Sequence, residues 1–165
     1  IFMLSPLAIH ASLWDFSLHY YARPGVSPLC LRLQDEQGVN VNVLLWALWL
    51  GYRGVQLEAA PLAQALRKTH SWDQHYVLPL RQLRRRMKVE FDVTDASIET
   101  VRTQIKLAEL LAEKHLQQIL EAQILIDTAP MRITAETLMA DNVWLYLRPL
   151  GVNKVCAEEL LALLK

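Results

Sequence analysis

Residues 41–50 read VNVLLWALWL, and Val43–Leu50 is the longest unbroken apolar run in the chain. Eight such residues are too few to cross a bilayer, which takes roughly 20. At 100° per residue the segment is apolar on nearly every side. In a protein without a membrane span, that pattern predicts a helix wrapped by its neighbours. Asn40 stands where a capping side chain is needed, and Gly51 and Gly54 mark the stop. The predicted fold is therefore all-α: one compact bundle of about seven helices built around a Trp46/Trp49 rod.

Helix signals continue on both sides of this rod, and strand signals hardly occur. Ser27-Pro28 reads as a cap and first helical residue for PLCLRLQDEQ, closed by Gly38. LEAAPLAQALRKTH is a further helix with Pro61 confined to its first turn. Ser71, with Gln74 three residues on, reads as a capping box that restarts the chain. The run to Lys88 then places Tyr76, Leu80, Leu83 and Met87 on one face, with Pro79 either kinking the helix or delaying its true start. VEFDVT, residues 89–94, alternates like a strand but has no partner, so it reads as an extended connector. Thr94 or Asp95 opens a long helix near 95–125, about 45 Å at 1.5 Å per residue. Its apolar stripe is Ile98, Val101, Ile105, Ala108, Ala112, His115 and Ile119. Thr134 caps AETLMADNVWLYL, Pro149-Gly151 ends it, and CAEELLALLK closes the chain.

The totals agree with one domain spanning 1–165, in which 1–11 is expected to be loosely ordered. The chain has 165 residues, 53% hydrophobic and 21% charged, enough to bury a core. Seventeen basic and seventeen acidic side chains cancel, so no global field favours nucleic acid or an anionic membrane. Cys30 and Cys156 lack Cys-x-x-Cys spacing, which speaks for a reducing compartment and a cytoplasmic protein. IFMLSPLAI lacks a basic flank and a small-residue cleavage pattern, so it is not read as a signal peptide.

SLWDFSLHYYARPGV, residues 12–26, gathers the most reactive chemistry. Ser12 and Asp15 fit a capping pair, and Pro24-Gly25 supplies a stop. Leu13, Phe16, Ser17 and Tyr20 share one face. Asp15, His19 and Arg23 follow one another by a turn on the other side. His19 as a general base oriented by Asp15 is the sharp alternative to a solvated ladder. A serine triad within this helix fails, because Ser17 lies about 160° around from both partners. The candidate ligand site or polar network is Trp14, Asp15, His19, Tyr20, Asp35, Asn40 and Asn42. Within it, Asn42 beside the tryptophans needs a partner such as Asp15 or Asp35.

Other chemistry is sparse. Arg81, Arg84, Arg85 and Lys88 form a candidate basic patch, but no aromatic interleaves to stack a base, and acids follow at Glu90, Asp92, Asp95 and Glu99. The patch reads by default as a solvated or salt-bridged face, which argues against nucleic acid. Arg102, Lys106, Glu109 and Glu113 read as a surface ladder, and His115 as a hydrogen-bonded core residue. His70, Asp73 and His75 lack ligand spacing. No metal, cofactor or catalytic set is assigned.

LWDFSL (13–18), YARPGV (21–26), CLRLQDEQGVNVN (30–42) and LLWALWLG (44–51), in this order, resemble an uncharacterised proteobacterial family, a domain of unknown function. The resemblance is strongest over residues 12–54 and fades towards the C-terminus. Asn40 stands where that family's pattern has aspartate, a swap that keeps a cap and removes a carboxylate. The resemblance implies a bacterial, cytoplasmic, helical protein and brings no reaction or cofactor with it. The favoured function is a small helical interaction or regulatory protein without catalysis, with a protein partner or a second copy of itself. The alternatives are a small-molecule pocket or enzyme among the first three helices, and a nucleic-acid accessory protein using residues 81–88.

Overall fold

The central helix α3 (Val41–Tyr52) is buried at every position from Val41 to Gly51, with Trp46 0% and Trp49 2% exposed. Asn40 starts it: its Oδ1 accepts from the N–H groups of Asn42 and Val43 at 3.0 and 3.3 Å. Around it, in chain order, stand α1 (Leu13–Tyr21), α2 (Val26–Gln37), α4 (Ala59–Trp72), α5 (Leu78–Glu90), α6 (Ala96–Glu121), α7 (Ala135–Leu147) and α8 (Lys154–Ala162). This computed structural model describes residues 12–92, 94–124 and 133–164, and among these no strand occurs. The all-α expectation and the central rod both hold. Residues 1–11, expected to be loosely ordered, lie outside the described residues.

α3 packs most extensively on α7 and also contacts α1, α2 and α6. One continuous apolar cluster runs from Leu13 to Leu164. Burial pushes the Tyr20 phenol, the Cys30 thiol and the Tyr146 phenol each up to about 12, so all three sit neutral in that cluster. Asn142 of α7 is 0% exposed and fully used. Its Oδ1 accepts from Leu57 N–H at 2.7 Å, and its Nδ2 donates to Val55 O at 2.9 Å and Ala47 O at 3.2 Å. The loop after α3 is thereby pinned to α7. Before α3, Asn40 N–H donates to the Tyr146 hydroxyl at 2.9 Å.

Several expected boundaries are corrected. Gly25, left-handed at φ 84°, precedes α2, and Ser27 lies inside the first turn with its hydroxyl turned to Tyr21. Burial of Val26, 1% exposed, draws the helix start earlier than the Ser-Pro signal. No restart occurs at Ser71 either: α4 runs through a π-helical turn, Asp73–Val77, straight into α5. Leu78 N–H reaches Asp73 O, five residues back. The wider turn accommodates Pro79, which has no N–H to give, and adds one residue to the register. Val77, 0% exposed, therefore faces the core, while Tyr76 is 53% exposed against Trp72, ring centroids 4.5 Å apart. α5 keeps Val89 and Glu90, so the connector is shorter than VEFDVT, and Val93 lies outside the described residues.

Asp95 caps α6 as expected, through the N–H groups of Ser97 and Ile98. The helix ends at Glu121, about 39 Å long. Its buried face is Glu109, Ala112, Leu116, Gln117 and Leu120, rotated from the predicted stripe. Val101, Ala108 and His115 are exposed, and His115 packs edge-on to Trp72 instead of entering the core. Two polar side chains, Glu109 and Gln117, displace them because partners on other helices hold them inside.

Candidate functional site

A cleft of about 390 Å³ opens where α1, α2, α3, α5 and α6 meet. That lies within the range of small-molecule sites. Trp14 and Leu18 of α1, Leu31 of α2, Leu45 of α3 and Leu110 of α6 make its apolar wall. Arg81, Arg84 and Arg85 of α5 face Lys106, Glu109 and Glu113 of α6 along the other side. Ser17, Asn42 and Gln117 lie beneath, each buried.

The charged wall is a network. Arg81 Nε donates to Glu109 Oε1 at 3.2 Å, and its Nη2 to Glu113 Oε1 at 2.6 Å. Arg84 grips both Glu109 oxygens through Nε and Nη2. The Glu109 hydrogen bond holds the Arg84 guanidinium above its ordinary range, and burial pushes the Glu113 carboxyl up against the pull of Arg81. Arg85 Nη1 donates to Asp35 Oδ1 at 2.9 Å, which lowers the Asp35 carboxyl. Glu109, at 8% side-chain exposure, thus pairs with two partly buried guanidiniums at once, and Glu113 supplies the second counter-charge. Glu109→Gln should cost about 2–3 kcal/mol by urea denaturation, below the value for a fully enclosed pair because both arginines retain some solvent. Glu99→Gln, which breaks a half-exposed i, i+3 pair to Arg102 on the same helix, is the control and should cost clearly less than Glu109→Gln.

The structure divides the predicted site. Trp14 and Asn42 line the cleft, and so do three members of the basic patch, Arg81, Arg84 and Arg85. The salt-bridged default for that patch holds for these three, but their partners are Asp35, Glu109 and Glu113 rather than the acids that follow in sequence. Lys88 is exposed and outside the lining. Asp15, Asp35 and Asn42 do not meet. Asp15 accepts from Ser12, whose hydroxyl lies 2.8 Å from Oδ2, and is exposed, as is His19. The Asp15-His19-Arg23 ladder is absent, since Arg23 lies over the Tyr20 ring and donates to Leu164 O. Tyr20 is buried in the core, Asp35 pairs on the surface, and Asn40 is a cap.

Sequence reasoning missed Glu109, Lys106 and Gln117 as cleft residues. The surface-ladder reading of Glu109 and Glu113 is corrected, because α5 lies against them. Gln117 carried a usable signal: it sits directly after Leu116 and one turn before Leu120, on a face too apolar for an unpaired amide. His70, Asp73 and His75 form no metal cluster, and none occurs among the described residues.

A family model described as Protein of unknown function (DUF2390) matches residues 12–120. No curated protein and no solved structure matches the chain. The matched stretch contains every residue lining the cleft, from Trp14 to Gln117, while α7 and α8 lie beyond it.

Proposed function

We propose that this chain, which belongs to the family of unknown function whose model covers residues 12–120, is a small-molecule-binding domain with its ligand in the cleft. The observation that carries this reading is the convergence of five helices on one opening with an apolar wall, a charged wall and a buried polar floor. A hydrophobic surround with a few placed polar groups is the usual composition of a ligand pocket. Neither histidine nor cysteine lines it, so a Ser-His or Cys-His nucleophile is not assembled there, and binding is the better reading than nucleophilic catalysis. The free thiols of Cys30 and Cys156 support a reducing, cytoplasmic setting, and the resemblance over residues 12–54 supports a bacterial one.

An interaction surface has less behind it. Val101, Leu107 and Leu111 are exposed on α6, but nothing in the structure shows what would cover them. The nucleic-acid reading loses its cations, since Arg81, Arg84 and Arg85 already pair with carboxylates. Among the described residues no helix is long and apolar enough to cross a membrane.

A fragment library screened by thermal shift tests the proposal. A ligand at about 100 times its Kd stabilises by about 2.7 kcal/mol, which is readable as several degrees. Leu110→Trp, at a half-exposed position on the rim, fills the opening without entering the core. Hits should bind about tenfold or more weakly to this variant. Hits that bind it unchanged, or an absence of hits, would sink the proposal.

A further inference from the structure

This inference rests on the cleft being the binding site, and names the chemistry of what it binds. The floor is a directed chain of hydrogen bonds. Ser17 Oγ donates to Gln117 Oε1 at 3.1 Å, and Gln117 Nε2 donates to Asn42 Oδ1 at 2.9 Å. The three residues are 4%, 2% and 5% exposed. The Asn42 carbonyl is thereby occupied, and its Nδ2 has no partner among the described residues. Among the described residues, the sealed polar atoms without a partner are Tyr20 Oη, Trp46 Nε1 and Gln123 Oε1. Asn42 lines the cleft and its Nδ2 is not among these sealed atoms, so a small molecule in the cleft can reach it. An amide donor held this deep is costly unless an acceptor oxygen meets it.

Charge says what kind of oxygen. The lining holds four cations, Arg81, Arg84, Arg85 and Lys106, against two carboxylates, Glu109 and Glu113, an excess of two. Asp35, outside the lining, offsets one through Arg85. Lys106 forms no ion pair among the described residues. Arg81 reaches Glu113, one helical turn from Gln117, so the guanidinium beside the floor is already paired and Lys106 at the far end carries the uncompensated charge. From Gln117 to Lys106 is eleven residues, about 16 Å along α6, so the opening suits a slender molecule.

We propose that the cleft takes an amphipathic organic oxyanion, with an anionic oxygen on Asn42 Nδ2 and an apolar body against Trp14, Leu18 and Leu45. Lys106 at the other end supplies attraction at a distance. Carboxylate and phosphate heads share this chemistry.

A series with one body and different heads tests it: 4-phenylbutyrate, its primary amide, its amine analogue 4-phenylbutylamine, and 4-phenylbutyl phosphate, titrated calorimetrically into the whole chain. One or both oxyanions should bind about tenfold or more tightly than the amide, with the amine weakest. Comparing the two oxyanions identifies the head. Raising salt to about 1 M, where the screening length falls to roughly 3 Å, should shrink the advantage. Lys106→Met, on an exposed side chain, should weaken oxyanion binding at about 0.01 M salt, where the screening length is roughly 30 Å, and leave the amide unchanged. Asn42→Asp keeps the acceptor that Gln117 uses and replaces the donor by a negative oxygen, so it should reverse the order of oxyanion and amine. If that variant does not fold, the wild-type series and Lys106→Met decide. An amide or amine that matches the oxyanions, or neutral fragments occupying the cleft while no oxyanion does, overturns the inference and leaves the cleft a binding site. If no compound of any charge binds, the binding-site reading itself falls.

Discussion

Gly51→Ala should destabilise the protein by about 4 kcal/mol or more, enough to prevent folding in a domain of ordinary stability. A Cβ on Gly51 would stand 2.5 Å from Met139 N, 2.6 Å from Met139 Cα and 2.7 Å from Leu138 C. These are backbone atoms of α7, so no rotamer change relieves the clash and the helix itself must move. The α3–α7 contact is the most extensive in the fold, and moving α7 would loosen the packing of Trp46, Trp49 and Val143 together. Gly38→Ala is the control. Nothing lies within 4 Å of a Cβ there, but φ is +66°, so the expected cost is conformational, about 1 kcal/mol. Urea unfolding of the two variants separates crowding from backbone preference. Equal losses would contradict the close approach of the helices.

Asn142→Leu should cost about 3–5 kcal/mol although it keeps the branching and the number of side-chain heavy atoms. The amide serves three backbone groups at once, and leucine would strand Leu57 N–H away from water and strip Val55 O and Ala47 O of a donor. Each stranded group costs about 1–3 kcal/mol. The loss should be local before it is global: Leu57 N–H exchanges with solvent far faster in the variant, while amides in the middle of α3 stay protected until overall unfolding. Unchanged protection at Leu57 would mean that Asn142 does not hold the loop.

The parts of the fold legible in sequence were those with local causes. Eight apolar residues in a row have few alternatives to a wrapped helix, and Asn40, Asp95 and Thr134 cap their own neighbours within three residues. Gly51 was legible only as a stop, whereas it lies inside α3 as a point of close approach. Asn142 shares the buried face of Leu138, Met139, Val143 and Tyr146, a periodicity that could have marked it as an amide needing partners but that sequence reasoning missed.

The cleft was legible in pieces and not as a place. Trp14 and Asn42 belonged to one reading, and Arg81, Arg84 and Arg85 to another. What joins them is the docking of α5 and α6 against the first three helices. Glu109 finds its arginines 25 and 28 residues away, and Gln117 finds Ser17 at 100. Side-chain type predicts a surface for a glutamate on a long helix, and only the partner from another helix reverses that.

The five-residue turn between α4 and α5 has a bearing on how this family can vary. It lies upstream of all three cleft arginines, so it sets their angular phase on an otherwise continuous rod. Deleting a single residue there would swing that wall by about 100° around the helix axis without altering any arginine. In evolution, then, the length of this segment is a control on the cleft separate from its composition: a chain could retain every lining residue and still lose the site.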